Sequence, residues 1–351
     1  MSDALFGDFA ARLAGSTDED AAGLLAGLVE GMRIQAAALL MEKLPPTCNL
    51  DYQRHPIELL VSSSEIGVRA VSAEKEPFTV EWIEGSIRPG DVFYDVGANV
   101  GAYSLIAAKS TANGACIFAF EPSPASFHDL SRNVLLNGCA ESIVALPLAL
   151  GSDNGPLFLM PDPAFAGAAQ HRISPAASDK SGALTVIGIR IDDLVERFGL
   201  PVPNHAKIDT DGHELEVLLG AERTLALQEW RSIIIELDRG QTRRNREIAT
   251  LLADAGFDTS VRHERVASPS FPHPEGRQDV YWTFTRSCTE TRRPTRPRPA
   301  WPRRARSTPL RTAQRRAVTV TLAMVTFLFL LLVFLPEELG DRPYDVFGLR
   351  F

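Results

Sequence analysis

One stretch constrains the fold of this 351-residue chain more than any other: Asp-Val-Phe-Tyr-Asp-Val-Gly-Ala-Asn-Val-Gly-Ala-Tyr-Ser, residues 91–104. Residues 92–96 are a short apolar run with Asp95 near its end, the pattern of a strand buried on both faces of a parallel sheet. Gly97, Asn99 and Gly101 then supply a tight turn, and residues 103–109 resume with helical character. Glycines let a backbone approach a ligand closely, and a helix start offers free N–H groups. Asp95 stands just before the first glycine, where a carboxylate repels a pyrophosphate and attracts a cation. No Lys-Ser/Thr follows the glycines, which excludes a Walker loop. A positively charged nucleoside suits this turn better, and S-adenosylmethionine, with its sulfonium and ammonium groups, is one.

Residues 116–120 form a second apolar run ending at Glu121 and Pro122. An acid about 20 residues past a glycine turn, at the end of the second strand, is placed to accept two hydrogen bonds from ribose hydroxyls. A dinucleotide fold uses the same device, so Glu121 alone does not choose the cofactor. Gly97-x-x-x-Gly101 lacks the third glycine of the dinucleotide fingerprint, and with Asp95 this disfavours an NAD-dependent oxidoreductase.

The length leaves room for one α/β domain of roughly 200–250 residues plus additions. The net charge of −8 is unevenly spread: residues 286–316 carry +10 (eleven Arg against Glu290) and residues 337–351 carry −2, which leaves −16 on residues 1–285. An acidic body of this kind argues against nucleic-acid binding. Cys48, Cys116, Cys139 and Cys288 form no C-x-x-C and do not cluster with His, so reduced, buried thiols are expected. The N-terminus lacks the basic region and apolar core of a secretory signal.

Along the chain, residues 1–54 begin with helices that stop at Pro45-Pro46, a cap on the domain or an oligomer contact. Residues 57–70 suggest a hairpin, and 76–87 a helix ahead of the turn at Pro89-Gly90. After Glu121, residues 123–137 read as a helix with Ser123 as N-cap, Gly138 as its end, and Phe127, Leu130, Val134 and Leu135 on one face. Residues 143–148 form the third strand, whose end near Ala149 meets the adenine in this topology. Residues 161–183 lack periodicity and read as a loop, either a lid or an insertion. Residues 185–191 form a strand, 192–194 start a short helix, and 206–208 form the fourth core strand, which delivers Asp209-Thr210-Asp211-Gly212-His213-Glu214. An amphipathic helix over 214–227, a buried strand over 232–237 carrying Glu236, a helix over 247–255 and a final antiparallel strand over 279–285 complete the pattern. Alternating strands and helices with buried strands argue a doubly wound α/β sheet. Ligands bind such sheets at the carboxyl ends of the strands, where Asp95, Glu121, Asp209 and Glu236 all fall.

Three motifs in order, Asp95-Val-Gly-Ala-Asn-Val-Gly101, Phe120-Glu-Pro-Ser-Pro124, and Lys207-Ile-Asp-Thr-Asp-Gly-His-Glu214 with Ala221, resemble the FkbM-type methyltransferases. The resemblance covers residues 55–285. It implies a class I, Rossmann-like, S-adenosylmethionine-dependent fold, and an activity that in known members is mostly O-methylation of natural products or sugars. Carried over by motif, Asp95, Gly97, Asn99, Gly101 and Glu121 hold the cofactor. Thr210 departs from the family pattern, where a small apolar residue such as Val is usual, and its side chain is expected to face the core.

Methyl transfer is an in-line displacement in which positioning supplies much of the catalysis. A hydroxyl acceptor also loses a proton, which calls for a base within hydrogen-bond reach. Asp209, Asp211, His213 and Glu236 are the candidates. A divalent metal held by several carboxylates could lower the hydroxyl pKa instead, but no metal site is assigned. The structural alternative for 211–214 is a helix start with Asp211 as cap, Glu214 in a capping box and His213 exposed. A small-molecule or glycan acceptor is expected; the alternative is a non-catalytic, S-adenosylmethionine-binding or membrane-tethered interaction protein of the same fold.

Residues 286–316, with eleven Arg and five Pro, cannot form a core and read as a disordered linker. Residues 317–335 carry no charge and are long enough to span a bilayer, so a transmembrane helix is expected over 317–336, followed by a short tail, 337–351. The Arg cluster on its N-terminal side predicts a single-pass membrane protein with the enzyme domain cytoplasmic.

Overall fold

The computed structural model describes residues 20, 47–62, 66–161, 171–174, 183–264, 279–287, 345–346 and 349–350. Two compact units divide at Arg292, and the second contributes only the antiparallel pair Asp345–Val346 with Leu349–Arg350. The first unit opens with β1 (Thr47–Asn49) and β2 (Glu58–Leu60), then three helices, α1 (Ile66–Ala70), α2 (Ser72–Lys75) and α3 (Pro77–Ser86). There follow β3 (Val92–Val96), α4 (Ala102–Ser110), β4 (Cys116–Phe120), α5 (Pro124–Leu136) and β5 (Ile143–Leu146). Next come β6 (Ala149–Leu150), β7 (Gly155–Pro161), β8 (His171–Ser174), β9 (Leu184–Ile189) and α6 (Ile191–Glu196). The last group is β10 (His205–Ile208), α7 (Glu214–Leu219), α8 (Glu222–Leu225), β11 (Ser232–Asp238), α9 (Thr242–Asp254), β12 (Thr259–Glu264) and β13 (Asp279–Thr285).

Seven strands form the central sheet in the order β12-β13-β11-β10-β3-β4-β5, and β13 alone runs antiparallel to its neighbours. Every core strand alternates between two apolar layers, as the two-residue period of a strand requires. Phe93, Ile117, Ala119, Ile143 and Ile234 face a layer built on Trp82 and Ile83 of α3, Leu105 and Ile106 of α4, and Leu130 of α5. Tyr94, Phe118, Phe120, Ile208, Ile233 and Ile235 face the other, built on α6 to α9. This three-layer, doubly wound arrangement with one antiparallel strand agrees with the fold expected from the strand pattern.

Several local expectations need correction. The hairpin at 57–70 pairs β2 backwards with β1, and residues 66–70 are helical. Leu135 is 64% exposed; Asn133 takes its place in the buried face of α5, where its amide donates to the Val100 carbonyl and its Oδ1 accepts from Leu60 N–H. The helix over 214–227 is two short ones. Its break is packed so tightly that a β-carbon at Gly220 would lie 2.0 Å from the Gly151 carbonyl oxygen. Asp192 then caps α8 by accepting from the N–H groups of Arg223 and Thr224. Ser123 stands at the N-cap of α5, though its side chain makes no capping bond.

Other elements escaped the sequence reading. Edge strand β12 carries few apolar residues and pairs only with β13. A second, four-stranded sheet orders β6-β9-β7-β8, so residues 171–174 of the expected loop pair with Phe158 to Pro161. Cys48, Cys116 and Cys139 are free thiols. The helices expected over 1–45 (residue 20, in a helix, excepted), the rest of the 161–183 loop, Cys288, the linker and the apolar segment 317–335 lie outside the described residues. Among the described residues no helix is long and apolar enough to cross a membrane.

Candidate active site

The strand order reverses direction at β3, whose neighbours β4 and β10 lie on opposite sides, and the crevice at that switch point is where such sheets take ligands. The loop leaving β3 is held by β4: the N–H groups of Gly97 and Ala98 both donate to the Phe120 carbonyl, each at 3.0 Å. Gly97 has φ +81°, and a β-carbon there would lie 1.8 Å from the carbonyl oxygen of Asp209. That glycine therefore serves the meeting of two strand ends. Asn99 also adopts a left-handed φ, +51°, a conformation asparagine tolerates better than most residues. Gly101, φ +90°, sits at the start of α4 against Leu130.

Glu121 ties this loop to the second strand. One carboxylate oxygen accepts from Asn99 N–H (2.8 Å) and the other from Ser123 N–H (2.8 Å). Each oxygen keeps a lone pair, the complement of a vicinal diol. Burial pushes the Glu121 carboxyl up to about 7, against these two backbone hydrogen bonds, which favour the ionised form.

Asp95 is fully buried. Ser104 Oγ donates to its Oδ2 at 2.5 Å, and its Oδ1 is sealed from solvent with no hydrogen-bond partner. Burial raises its pKa, and nearby Lys207 opposes the rise. A buried carboxylate oxygen without a partner is costly, and a cationic ligand group is a fitting partner for it.

Strand β10 brings Lys207 and Asp209 alongside. Lys207 Nζ donates to Asp209 Oδ2 at 2.6 Å and lies 4.9 Å from the Tyr103 ring centroid. Burial opposes the charge on Lys207, but Asp209, Glu76 and Asp95 more than offset it, and the amine is held firmly protonated. Burial likewise opposes ionisation of Asp209, yet Lys207, a hydrogen bond from Glu236 and Lys75 drive its pKa well below the usual carboxylate range. Its contact with Asp209 makes Lys207 part of the site's charge balance.

After β10 the chain turns through Asp211, φ +53°. Glu214 fastens this turn: its Oε1 accepts from Thr210 N–H (3.1 Å), Thr210 Oγ (3.1 Å) and Gly212 N–H (3.0 Å). Thr210 is half-buried and uses its hydroxyl here, so it does not face the core. The N-cap residue of α7 is His213, not Asp211, and its side chain makes no capping bond. Asp211, Gly212 and Glu236 line one small cleft with Asp238, Gln241 and Arg244. A wider groove of about 720 Å³ between α7, α8 and α9 is lined by other residues and contains none of these acids.

Of the expected cofactor residues, Asp95, Gly97, Asn99, Gly101 and Glu121 gather around the β3–α4 turn. Ala149 is buried in the second sheet, paired with Gly188. Of the expected bases, Asp209 follows β10 and Glu236 lies on the neighbouring β11, and Asp211 lines the same cleft as Glu236. Sequence reasoning missed Tyr281, which reaches Glu236 from outside the motifs, and Glu76 beyond it: Tyr281 Oη lies 2.6 Å from Glu236 Oε1 and 2.9 Å from Glu76 Oε1. No local pattern announces them, since Glu76 reads as a helix start and Tyr281 as one aromatic in a strand. Among the described residues no group of three or more His, Cys, Asp or Glu is arranged to hold a metal ion.

The central sheet, with its antiparallel β13 and its ligand loop at the switch point, defines the class I methyltransferase fold. Residues 95–259 match the family model described as "Methyltransferase FkbM domain". Among characterised relatives, hexuronic acid methyltransferase AglP of Haloferax volcanii is 34% identical over 171 residues, 49% of this chain and 65% of that protein. Methyltransferase sdnD of Sordaria araneosa is 29% identical, covering 52% of this chain and 80% of its own length. The match thus spans just under two thirds of the Haloferax protein. A solved methyltransferase FkbM from Methylobacillus flagellatus is 15% identical, with a TM-score of 0.39, over 56% of this chain and 44% of its own.

Proposed function

We propose that the chain is an S-adenosylmethionine-dependent methyltransferase that methylates a hydroxyl on a sugar, a lipid-linked glycan or a natural product. One observation carries this reading: Asp95, Glu121, Asp209 and Glu236 stand at the carboxyl ends of four neighbouring strands, β3, β4, β10 and β11, around the switch point. Asp95 offers an unpartnered buried oxygen to a cationic group, and Glu121 offers two free lone pairs to ribose hydroxyls. The residues present fit the cofactor. When bound, S-adenosylmethionine supplies a methyl on a sulfonium; its transfer forms a C–O bond and breaks a C–S bond whose electron pair stays on sulfur. The chain's own part is to orient the acceptor, exclude water and take the hydroxyl proton on Asp209 or Glu236. The relatives support the acceptor class: one is named for hexuronic acid, and another, from Streptomyces tacrolimicus, for a demethylated FK506.

The apolar run over 317–335 with its Arg-rich N-terminal flank supports a further proposal, that the enzyme is anchored by one C-terminal span with its catalytic domain on the cytoplasmic side. Calorimetric titration of the full-length protein with S-adenosylmethionine, S-adenosylhomocysteine and NAD tests the cofactor reading. Micromolar binding of the first two, abolished by Asp95→Ala and Glu121→Ala, is expected. Binding of NAD alone would overturn it. Cofactor binding without turnover on any glycan or polyketide hydroxyl would favour a non-catalytic binding protein.

A further inference from the structure

At the amino ends of β3, β10 and β11, the pole opposite the candidate site, four buried side chains stand in one polar line. Trp82 Nε1 of α3 lies 3.0 Å from Ser232 Oγ, and Ser232 Oγ lies 2.8 Å from His205 Nδ1. His205 Nε2 then faces Asp91 Oδ2 at 3.5 Å. An indole N–H can only donate, so Ser232 Oγ accepts from Trp82. Among the described residues, the acceptor left for the serine's own proton is His205 Nδ1. Neutral His205 therefore carries its proton on Nε2, toward Asp91. That carboxylate is engaged elsewhere: Arg231 Nη1 donates to its Oδ1 at 2.7 Å, and Arg88 N–H donates to its Oδ2 at 2.9 Å.

A second proton on His205 reverses the central bond. Nδ1 becomes a donor, Ser232 Oγ has to accept from both neighbours, and the serine proton loses its acceptor in a buried place, which is costly. The charged groups facing His205, among the described residues, are Asp91 before β3, Arg231 before β11 and Arg88 after α3. Only Asp91 attracts an imidazolium, and it already serves the other two. Burial, with the two arginines, lowers the His205 pKa against the pull of Asp91. Separation of Trp82 from Ser232 relieves the conflict, because water then reaches the serine hydroxyl and the imidazolium. Trp82 also stands edge-on to the His205 ring, with centroids 6.2 Å apart, so the two side chains cannot move independently.

We propose that Trp82, Ser232, His205 and Asp91 are a proton-operated latch, which holds α3 to the sheet while His205 is neutral and releases it when His205 is protonated. The device needs neither cofactor nor acceptor, so it stands apart from the methyltransferase reading. Stability contributed by neutral His205 is full above its ordinary value of 6.5 and declines below it, because the unfolded chain binds that proton more readily. The consequence reaches the other pole. Glu76, the N-cap residue of α3, lies 2.9 Å from Tyr281 Oη, so a released α3 loosens that wall of the candidate site.

The test is nitrogen NMR of the full-length protein with labelled histidine and tryptophan. The His205 and Trp82 signals are assigned by their loss in His205→Gln and Trp82→Phe. Neutral His205 should carry its proton on Nε2 and titrate with a midpoint below 6.5. As pH falls through that midpoint, hydrogen exchange at the Trp82 indole should rise about tenfold or more, while that of Trp230, also buried, stays slow. Ser232→Ala removes the donor to neutral His205 and should raise the midpoint by about half a pH unit to one. Ser232→Thr keeps the hydroxyl and should leave it within about 0.3. A proton on Nδ1 of the neutral ring, a midpoint at or above 6.5, or Trp82 exchange that does not follow His205 would each overturn the latch. So would a joint rise at Trp82 and Trp230, which reports global unfolding, or a Ser232→Ala midpoint that stays or falls. Thermal melts report whether the variants fold. Should Ser232→Ala not fold, the tautomer and the Trp82 exchange of the unaltered protein decide the matter.

Discussion

Gly97 and Asp209 meet backbone to backbone, so close that a β-carbon on the glycine would lie 1.8 Å from the aspartate's carbonyl oxygen. This contact joins the turn after β3 to the end of β10, two segments more than a hundred residues apart. Gly97→Ala should therefore separate the Asp95 turn from Asp209. The left-handed φ adds its own cost, and a loss of at least about 2 kcal/mol is expected. Urea unfolding measures it; a change below a few tenths would show that the two strand ends part easily.

Glu121 predicts a pH dependence of stability. Its folded pKa, raised to about 7 by burial, exceeds the ordinary value of 4.5, so the folded state binds more protons than the unfolded state between those limits. Stability from this group falls as pH rises from about 4.5 to 7, by about 3 kcal/mol in all. Glu121→Gln should remove that component of the slope. Urea midpoints of both proteins across this range are the measurement, and parallel profiles would contradict the assignment.

Asp209→Asn should separate binding from chemistry. The amide keeps the size of the side chain but gives up the anion beside Lys207. S-adenosylmethionine affinity should stay within about threefold, while methyl transfer to an acceptor hydroxyl drops about 100-fold or more. Equal losses in both would make Asp209 a cofactor residue instead.

Asp192 is fully buried and accepts hydrogen bonds from Arg223 N–H, Thr224 N–H and Arg190. Asp192→Ala should leave buried donors unsatisfied at the start of α8 and cost about 2–4 kcal/mol. A thermal melt tests this; cofactor affinity at low temperature should be unchanged.

The apolar run over 317–335 predicts co-sedimentation of the full-length protein with phospholipid vesicles, resistant to high salt. Removing residues 317–351 should leave at most a salt-sensitive attachment through the Arg-rich stretch. A full-length protein that stays in the supernatant would rule out the span.

Much of the fold was legible because its signals are local. Apolar runs bounded by Gly, Pro and acids marked β3, β4, β10, β11 and β13, and the bounds of β3 and β4 fell where the pattern placed them. Weak strands were harder. Edge strand β12 buries almost nothing, so it lacks apolar periodicity, and β7 and β8 draw their regularity from pairing with each other. The helix expected over 214–227 broke because Gly220 packs against Gly151 and Asp192 caps a new start, contacts made by distant residues.

By itself the sequence determined which acids terminate the core strands, because burial of a strand and exposure of its end are written in neighbouring residues. It also named the turn at Gly97–Gly101 and the acid at the end of the next strand, Glu121. Only the tertiary structure decided what each group does there: Gly97 yields space to Asp209, Lys207 neutralises it, and Glu214 fastens a turn instead of reaching a ligand. Glu76 and Tyr281 join the site from the first and last parts of the domain. Their roles depend on distances of a few ångströms between segments remote in the chain, and such distances are set by packing of the whole sheet and its helices.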